Sequence, residues 1–304
     1  MRSAFSDALI KAAKQDRKII QLTGDHGYAL FDDFRKNCPS QYINVGIAEQ
    51  NMVGVAAGLA RSGFKPVVYG LSAFVPVRVV EQIKIDVCHD NLPVIFIGDG
   101  AGFVYSQLGT SHQSTEDIAC CRAIPNLTIF SPADRFEMTA CMRMAFQLNR
   151  PVYLRMGKSD IGDVHKQMPQ FSIGELLEVK AGSGRMHFIA TGSMVKKAIE
   201  IAGHYAGAGV SSAPTIKAIN VDQVAKICRD NDLIVTLEEH SVLGGLGSVI
   251  AEISTSSAPV RICRIGVNDR FSEHCGTYPY LIKEHQLDLA SLQSKIDGFL
   301  KLNA

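Results

Sequence analysis

A glutamate stands at the head of an apolar helical pattern, in the segment NVGIAEQNM at residues 44–52. Residues 48–62 are apolar nearly all round and stop at Gly63, which favours a helix that begins next to Glu49 and is buried on most sides. Burial raises the pKa of a carboxyl group and lets it share a proton with a weak base, whereas a helix N-terminus acts in the opposite direction. Glu49 is therefore a candidate acid–base residue. On the local pattern alone it is equally a first-turn acid that complements the helix dipole.

Two further polar side chains have types and positions that suit a reaction site. His112 lies in the segment GTSHQ at 109–113, and an imidazole can donate to a developing alkoxide or shuttle a hydroxyl proton. Arg155 lies near the end of an apolar run at 151–156. Ligands bind at the carboxyl ends of strands in α/β sheets, and a guanidinium can hold a phosphate through two hydrogen bonds. The plainer alternatives are a solvated loop histidine and a surface ion pair.

Short runs rich in valine and isoleucine alternate with helical patterns along the chain. In the first half these runs lie at 18–23, 65–70, 93–98, 127–132 and 151–156. In the second half they lie at 187–192, 215–220, 233–239 and 260–266. Such alternation is typical of parallel strands joined by crossover helices. We therefore predict an α/β protein of two domains, each a mainly parallel sheet flanked by helices: residues 1–160, a linker at 161–175, and residues 176–304.

The composition is that of an ordinary globular protein and excludes several classes of partner. The chain has 304 residues, 46% apolar and 20% charged, a length that suits two domains. A net charge of +1 gives neither a basic nucleic-acid face nor a polybasic membrane anchor. No apolar run reaches the roughly 18 residues of a membrane span, and residues 1–7 lack the apolar stretch of a signal peptide. We expect small molecules and proteins as partners, not nucleic acid or membrane.

The cysteines indicate a reducing compartment. None of the eight forms a Cys-x-x-Cys pair or stands near histidine at zinc-ligand spacing. Reduced thiols are typical of cytosolic proteins. We therefore predict a cytoplasmic protein.

The segment at 44–52 resembles the pyrimidine-binding domain of transketolases and of 1-deoxyxylulose-5-phosphate synthase. Further segments match in the same order: SAF at 72–74, GTSHQ at 109–113, PNL at 125–127 and SPAD at 131–134. In the second half, ATGS at 190–193 and LEEHSVLGGLG at 237–247 resemble the family's C-terminal domain. Together these matches span nearly the whole chain.

The resemblance implies a role for each candidate residue. Glu49 would hydrogen-bond N1′ of the aminopyrimidine of thiamine diphosphate and favour the imino tautomer, whose 4′-nitrogen takes the proton from C2. Such acid–base assistance typically contributes about 10²–10⁴ in rate. His112 would lie beside the 4′-amino group and the substrate, and Arg155 would hold the substrate phosphate. The remaining cofactor contacts would come from Phe74, Ile47 and Asp25, with Phe74 packed on the pyrimidine unless it is an ordinary core residue.

A full-length transketolase carries a further domain ahead of these two, and that domain holds the cofactor's diphosphate and its divalent metal. Nothing in this sequence precedes the pyrimidine-type domain. The resemblance therefore implies a split enzyme, with an N-terminal-type subunit that binds the diphosphate and Mg²⁺ or Ca²⁺. We expect an α2β2 heterotetramer and no metal ligands in this chain.

Three positions depart from the transketolase pattern. Val77 stands where transketolases have a second aromatic residue, so the pyrimidine contact is built differently here. Gly98 replaces a histidine for the substrate phosphate, and Leu108 replaces an aspartate that reads a hydroxyl of the acceptor sugar. The acceptor is therefore expected to be less hydroxylated, unphosphorylated or a specialised metabolite. A complex that prefers xylulose 5-phosphate and ribose 5-phosphate would contradict this hypothesis.

Two motifs imitate ligand sites. Gly98-Asp99-Gly100 followed by Asn126 imitates the metal signature of the missing domain, but its second asparagine is replaced by Leu127. The segment GGLG at 244–247 imitates an anion-binding loop. In the family the C-terminal domain serves assembly, so we assign GGLG no catalytic role.

Three functions remain open from the sequence. The first is a transferase that moves a two-carbon ketol unit from a ketose or ketose phosphate donor to an aldehyde acceptor. The second decarboxylates a 2-oxo acid such as pyruvate, as in the synthase or the beta subunits of 2-oxo acid dehydrogenases. The third is a non-catalytic scaffold, because fold alone does not establish activity. The presence of both Glu49 and His112 argues against the scaffold.

Overall fold

The described part of the first half contains six strands and six α-helices. A computed structural model describes residues 1–158 and 160–302. The strands of the first half are β1 (Ile19–Thr23), β2 (Tyr42–Asn44), β3 (Lys65–Leu71), β4 (Ile95–Asp99), β5 (Thr128–Phe130) and β6 (Val152–Met156). The helices are α1 (Arg2–Gln15), α2 (Asp32–Asn37), α3 (Glu49–Arg61), α4 (Val80–Gln82), α5 (Asp117–Arg122) and α6 (Arg135–Gln147). A π-helical segment, Ile83–Cys88, continues α4.

The described part of the second half contributes six strands and five α-helices. The strands are β7 (Leu177–Lys180), β8 (Met186–Ala190), β9 (Gly209–Ser212), β10 (Thr215–Lys217), β11 (Leu233–Ser241) and β12 (Arg261–Val267). The helices are α7 (Met194–Ala202), α8 (Val221–Asp230), α9 (Leu246–Ser257), α10 (Tyr278–Glu284) and α11 (Leu289–Leu302). In the part of the chain that the structure describes, no helix is long and apolar enough to cross a membrane.

The strands form two sheets. The first has seven strands in the order β10-β5-β6-β4-β3-β1-β2, and the second has five in the order β12-β11-β8-β9-β7. Neighbouring strands are parallel except at two edges, where β10 is antiparallel to β5 and β7 is antiparallel to β9. The predicted α/β class with two mainly parallel sheets is confirmed.

One strand lies in a different sheet from the one that the sequence indicates. The pattern at 215–220 belongs to the second series, yet β10 pairs with β5 of the first sheet. The Pro214 carbonyl ahead of β10 accepts a hydrogen bond of 2.8 Å from the Ser131 amide. The pairing covers β5, which would otherwise be an open sheet edge. Since the first sheet takes strands from both halves, the boundaries at 1–160, 161–175 and 176–304 stay a prediction.

The two halves share an apolar core. On one face of the first sheet, Phe5 of α1 and Met138 of α6 belong to one buried cluster. On the opposite face, Met52 of α3 belongs to a cluster that includes Val224 of α8 and Ile250 of α9. Successive side chains of a strand point to opposite faces, so one strand contributes side chains to both clusters. Helices of the second half therefore belong to the same buried cluster as the helix that begins at Glu49.

Candidate active site

Three neighbouring strands bring candidate residues to the same edge of the first sheet. Strands β1, β3 and β4 lie side by side and run parallel. The loop after β1 carries His26, the loop after β3 carries Phe74, and the loop after β4 carries His112. The carboxyl ends of parallel strands are where such sheets bind ligands. The structure therefore gathers side chains that lie far apart in the sequence.

Glu49 reaches this edge of the sheet from the connection between β2 and α3. It is the first residue of α3 and is only 4% exposed. Ahead of it, Gly46 adopts a left-handed φ of 77°, a conformation that glycine reaches without strain. The side-chain oxygen of Asn44 accepts a hydrogen bond of 3.0 Å from the Gly46 amide. This turn leads from β2 into α3 and places the carboxylate in the first turn, where a helix stabilises negative charge.

The two oxygens of Glu49 have different surroundings. Oε2 accepts a hydrogen bond of 3.2 Å from Nη1 of Arg78. Oε1 is buried and has no hydrogen-bond partner among the residues that the structure describes. The Arg78 guanidinium carbon also lies 4.0 Å from the centroid of the Phe74 ring, a cation–π arrangement. An unpaired buried carboxylate oxygen is costly, so Oε1 is a site for a donor from a ligand.

Three rings form a cluster beside the Glu49–Arg78 pair. The Phe74 ring centroid lies 5.7 Å from that of His26 and 5.3 Å from that of His112. Burial lowers the pKa of His26 below its usual value, against the opposing effect of Glu49, and so favours the neutral ring. Its Nδ1 is buried and has no partner within the described residues. Glu49, Phe74 and His112, expected from the sequence to act together, are thus close in space.

Asp25 and Ile47 lie at the surface beside this cluster. Asp25 has a φ of 64°, and its carboxylate accepts a hydrogen bond of 3.3 Å from the Asn44 amide group. Ile47 is 78% exposed, and Tyr28 and Leu108 are also exposed. Each of the three lies in a loop after a strand of the first sheet, β2, β1 or β4, and exposed apolar side chains at one sheet edge are typical of a surface that a ligand or another chain covers. The structure thus keeps both residues near Glu49, and their cofactor contacts stay a prediction.

Arg155 lies apart from this cluster, between the two halves of the chain. It is 2% exposed, and its Nε donates to Oδ2 of Asp117 at 2.8 Å. Its Nη2 donates to the Glu239 carbonyl at 2.8 Å. These donors are used inside the protein, so the substrate-phosphate role of Arg155 stays a prediction.

The two imitation motifs are occupied by internal contacts. Asp99 is buried and accepts hydrogen bonds from Tyr69 Oη at 2.6 Å and Arg2 Nε at 3.2 Å. Asn126 donates to the Cys88 carbonyl at 2.9 Å instead of joining Asp99. At the segment GGLG, the carboxylate of Glu238 accepts hydrogen bonds from two amides of the first turn of α9. The N-terminus of α9 is therefore already capped by a residue of this chain.

Gly98 is confined by its neighbours. A Cβ atom on Gly98 would lie 2.7 Å from Tyr153 Oη and 2.8 Å from the Val75 carbonyl oxygen. Side chains at this position are therefore excluded unless the backbone moves. The position therefore has no room for the histidine that transketolases carry there.

His26 and Arg78 are site residues that sequence reasoning misses. His26 directly follows Asp25, but the family pattern indicates only the carboxylate. Arg78 follows Phe74 by four residues and directly follows Val77. Its guanidinium covers the Phe74 ring near the place where an aromatic residue is expected. The departure at Val77 is the one signal in the sequence that this surface is built differently.

Two protein families match the chain. The transketolase pyrimidine-binding domain matches residues 1–163, and the transketolase C-terminal domain matches residues 176–291. A solved structure described as a split gene transketolase, an inactive beta4 tetramer, has 33% sequence identity and a TM-score of 0.91, and covers 100% of this chain and 99% of that chain.

Curated relatives give the same result. A subunit of the apulose-4-phosphate transketolase of Phocaeicola vulgatus is 34% identical over 286 residues, covering 90% of this chain and 89% of that protein. The SqwH subunit of the 6-deoxy-6-sulfo-D-fructose transketolase of Clostridium sp. (strain MSTE9) is 33% identical over 278 residues, covering 90% and 86%. The 1-deoxy-D-xylulose-5-phosphate synthase of Caldanaerobacter subterraneus subsp. tengcongensis is 34% identical over 300 residues, covering 96% of this chain and 47% of the synthase.

These matches confirm the resemblance noted in the sequence. The first family match covers more than half of the chain, and the second follows it in the order that the motifs predict. The chain therefore belongs to the transketolase family, of which it carries the pyrimidine-binding domain followed by the C-terminal domain.

Proposed function

We propose that this chain is the subunit of a split, thiamine-diphosphate-dependent transketolase-like enzyme that supplies the glutamate activating the aminopyrimidine. One observation carries the proposal. Glu49 is buried at the ligand-binding edge of the first sheet, with one oxygen paired to Arg78 and the other without a partner in the described chain. A carboxylate in that state suits a ring nitrogen that carries a shared proton.

The surrounding residues fit the aminopyrimidine part of the cofactor. With thiamine diphosphate bound, Oε1 of Glu49 would accept a hydrogen bond from the pyrimidine, the Phe74 ring would pack against the pyrimidine, and Ile47 and Asp25 would lie beside it. When bound, thiamine diphosphate would supply a nucleophilic carbon that adds to a carbonyl group, the chemistry that allows the adjacent carbon–carbon bond to break. His112 donates a hydrogen bond to the substrate oxygen on which charge develops. Arg78 holds Oε2, so that Oε1 stays directed at the ring.

We propose that activity requires a second polypeptide. An N-terminal-type subunit would hold the diphosphate and Mg²⁺ or Ca²⁺, and the two chains would form an α2β2 heterotetramer. Support comes from the relatives that are named as subunits of transketolases. The similar solved structure is described as a split gene transketolase in the form of an inactive beta4 tetramer, which agrees with a chain that needs a second polypeptide for activity.

The reaction proposed is transfer of a two-carbon ketol unit from a ketose or ketose phosphate to an aldehyde. Two relatives are named for apulose 4-phosphate and for 6-deoxy-6-sulfo-D-fructose, which are specialised sugars. The confined Gly98 and the exposed Leu108 agree with an acceptor that is less hydroxylated, unphosphorylated or specialised. The cytoplasmic location stays a prediction from the sequence.

A second candidate function is decarboxylation of a 2-oxo acid such as pyruvate, followed by carboligation. It is supported by the match to 1-deoxy-D-xylulose-5-phosphate synthase, which covers 96% of this chain. The two functions differ in one product. Release of labelled carbon dioxide from carboxyl-labelled pyruvate by the reconstituted complex would establish the second, and ketol transfer without carbon dioxide would establish the first.

The main test is reconstitution with the N-terminal-type subunit and screening of ketose donors against aldehyde acceptors. Glu49→Gln is expected to lower turnover by about 10²–10⁴ while the melting temperature changes little. Gln50→Ala, at the exposed neighbouring position of the same helix, is the matched control and is expected to keep turnover. Unchanged turnover in Glu49→Gln would instead support the scaffold function. Sub-micromolar binding of thiamine diphosphate and magnesium to the isolated chain, measured calorimetrically, would count against a split site.

A further inference from the structure

The loop that carries His112 is anchored at its base within the first half. The loop runs from β4 to α5, and Gly102 and Ser114 form an antiparallel bridge across it, with N–O distances of 2.7 and 3.0 Å. Within the loop, the His112 amide donates to the Gly109 carbonyl at 3.0 Å. Gln113 follows His112 directly, and its side chain is buried. The position of Gln113 thus determines where the chain leaves His112.

The second half holds Gln113 through a hydrogen-bond chain. Ser272, in the segment between β12 and α10, donates from Oγ to Oε1 of Gln113 at 2.7 Å. Ser272 Oγ also lies 2.9 Å from Nε2 of His285. Because the one hydroxyl hydrogen of Ser272 goes to Gln113, His285 is the donor in that second bond. His285 is 2% exposed and stacks on Phe103 with a centroid distance of 4.6 Å. The series of hydrogen bonds therefore ends at an imidazole that packing holds in place.

A second contact joins the same two segments. Gly109 has a φ of 79°, and a Cβ atom there would lie 3.1 Å from Sγ of Cys275. The segment 268–277 therefore touches the His112 loop on both sides of the histidine, at Gly109 and at Gln113. Contact at two points restrains a loop more than one hydrogen bond does, because the loop can no longer rotate about a single attachment.

We propose that Ser272 is a positioning residue for His112, so that the C-terminal domain orients this histidine through the Ser272–Gln113 hydrogen bond. The role of His112 at the substrate rests on the proposed function, whereas the attachment of its loop does not. The inference gives the C-terminal domain a part in the reaction beyond assembly. Small errors in the placement of a reacting group lower rates strongly.

The test compares Ser272→Ala with Ser272→Thr in the reconstituted complex. In Ser272→Ala, hydrogen exchange of peptides covering 105–113 is expected to rise at least about threefold, and kcat is expected to fall about ten- to a hundredfold. Ser272→Thr keeps the hydroxyl and is expected to restore both. Ser256→Ala, which removes an exposed hydroxyl bonded within α9, is the matched control and is expected to change neither.

A double-variant cycle with His112→Asn separates positioning from general damage. If Ser272 acts through His112, Ser272→Ala lowers kcat no further in the His112→Asn background. An equal loss in both backgrounds, or unchanged exchange of 105–113 in Ser272→Ala, would overturn the proposal. If exchange responds as expected but the unaltered complex transfers no ketol unit, the attachment stands and the proposed function fails.

Discussion

Arg78 holds one oxygen of Glu49 and leaves the other without a partner in the described chain. The distance from Arg78 Nη1 to Glu49 Oε2 is 3.2 Å, and the same guanidinium lies 4.0 Å above the Phe74 ring. The ion pair fixes the rotation of the carboxylate before any ligand arrives. One arginine therefore links the acid–base group to the ring on which the pyrimidine is proposed to pack.

We predict that Arg78→Ala lowers kcat/KM of the reconstituted complex by about ten- to a hundredfold. A hydrogen bond between charged groups contributes roughly 1.5–3 kcal/mol, and its loss frees the carboxylate to rotate. Arg78→Lys is expected to fall between Arg78→Ala and the unaltered protein, because lysine keeps the charge but not the planar group that stacks on Phe74. Steady-state rates with a fixed donor and acceptor measure the effect.

Arg61→Ala is the control for Arg78. Arg61 pairs with Asp90 at the surface, and its side chain is 57% exposed. Exposed ion pairs of this kind contribute little, so turnover is expected to stay unchanged. If Arg78→Ala also keeps full kcat/KM, the guanidinium does not orient Glu49.

From the sequence, the strands whose ends carry the candidate site can be predicted more fully than the contacts between its side chains. The runs ending near Thr23, Gly98 and Met156 form strands as expected because buried parallel strands are continuous apolar runs. The family pattern also predicts Glu49 and His112 as site residues, which the structure brings close together. It does not identify Arg78 or His26, since neither has a sequence neighbour that reveals which ring or carboxylate it touches. Such contacts depend on how three separate loops meet.

For Arg155, the sequence suggests a ligand contact but does not reveal the internal partners of the side chain. Its position at a strand end suggests a ligand-binding arginine, and nothing in the local sequence reveals that Asp117 and the Glu239 carbonyl use its donors. Those partners lie in different segments, one of them in the other half of the chain. The place of β10 in the first sheet is also hidden from the local sequence, because its pairing with β5 depends on packing between the two halves.

We predict that Arg155→Met lowers the free energy of unfolding by about 3–5 kcal/mol, because Asp117 would stay buried without its ion-pair partner. Asp117 is 0% exposed and also accepts a hydrogen bond from Tyr153 Oη at 2.6 Å. Urea denaturation of the isolated chain measures the loss. Arg155→Met combined with Asp117→Asn is expected to recover part of it, since no uncompensated charge remains.

The outcome for Arg155 also separates its two roles. A substrate-phosphate ligand would raise KM for a phosphorylated substrate when replaced, with little change in stability. Full stability of Arg155→Met together with a raised KM would therefore contradict the structural role and support the role expected from the family.

We predict that the chain loses stability as the pH falls below about 6.5, in part through His187. Burial lowers the pKa of His187 from 6.5 to about 4, so between these values the unfolded chain binds a proton that the folded chain does not. The free energy of unfolding therefore falls with pH by about 1.4 kcal/mol per unit for this group. His187→Gln is expected to be less sensitive than the unaltered chain by up to about 2 kcal/mol between pH 7 and pH 5.

Denaturation curves at the two pH values test this prediction, and the other titrating groups cancel because both proteins contain them. His187 bonds to Ser211 Oγ at 2.8 Å, which glutamine can replace. An equal pH dependence in both proteins would show that folding does not lower the pKa of His187, and would contradict the prediction. His204→Gln, which replaces a histidine exposed at the surface, is the matched control and should follow the unaltered chain.

We predict that Gly98→Ala lowers the free energy of unfolding by about 1–3 kcal/mol, the range for overpacking a core. The added methyl group would lie 2.8 Å from the Val75 carbonyl, a backbone atom that cannot turn away as a side chain can. Gly58→Ala is the control, because a Cβ on this exposed position of α3 meets no atom within 4 Å. It is expected to stabilise the helix by up to about 1 kcal/mol. If Gly98→Ala is as stable as the unaltered chain, the site has room for a side chain, and the missing histidine reflects substrate choice rather than packing.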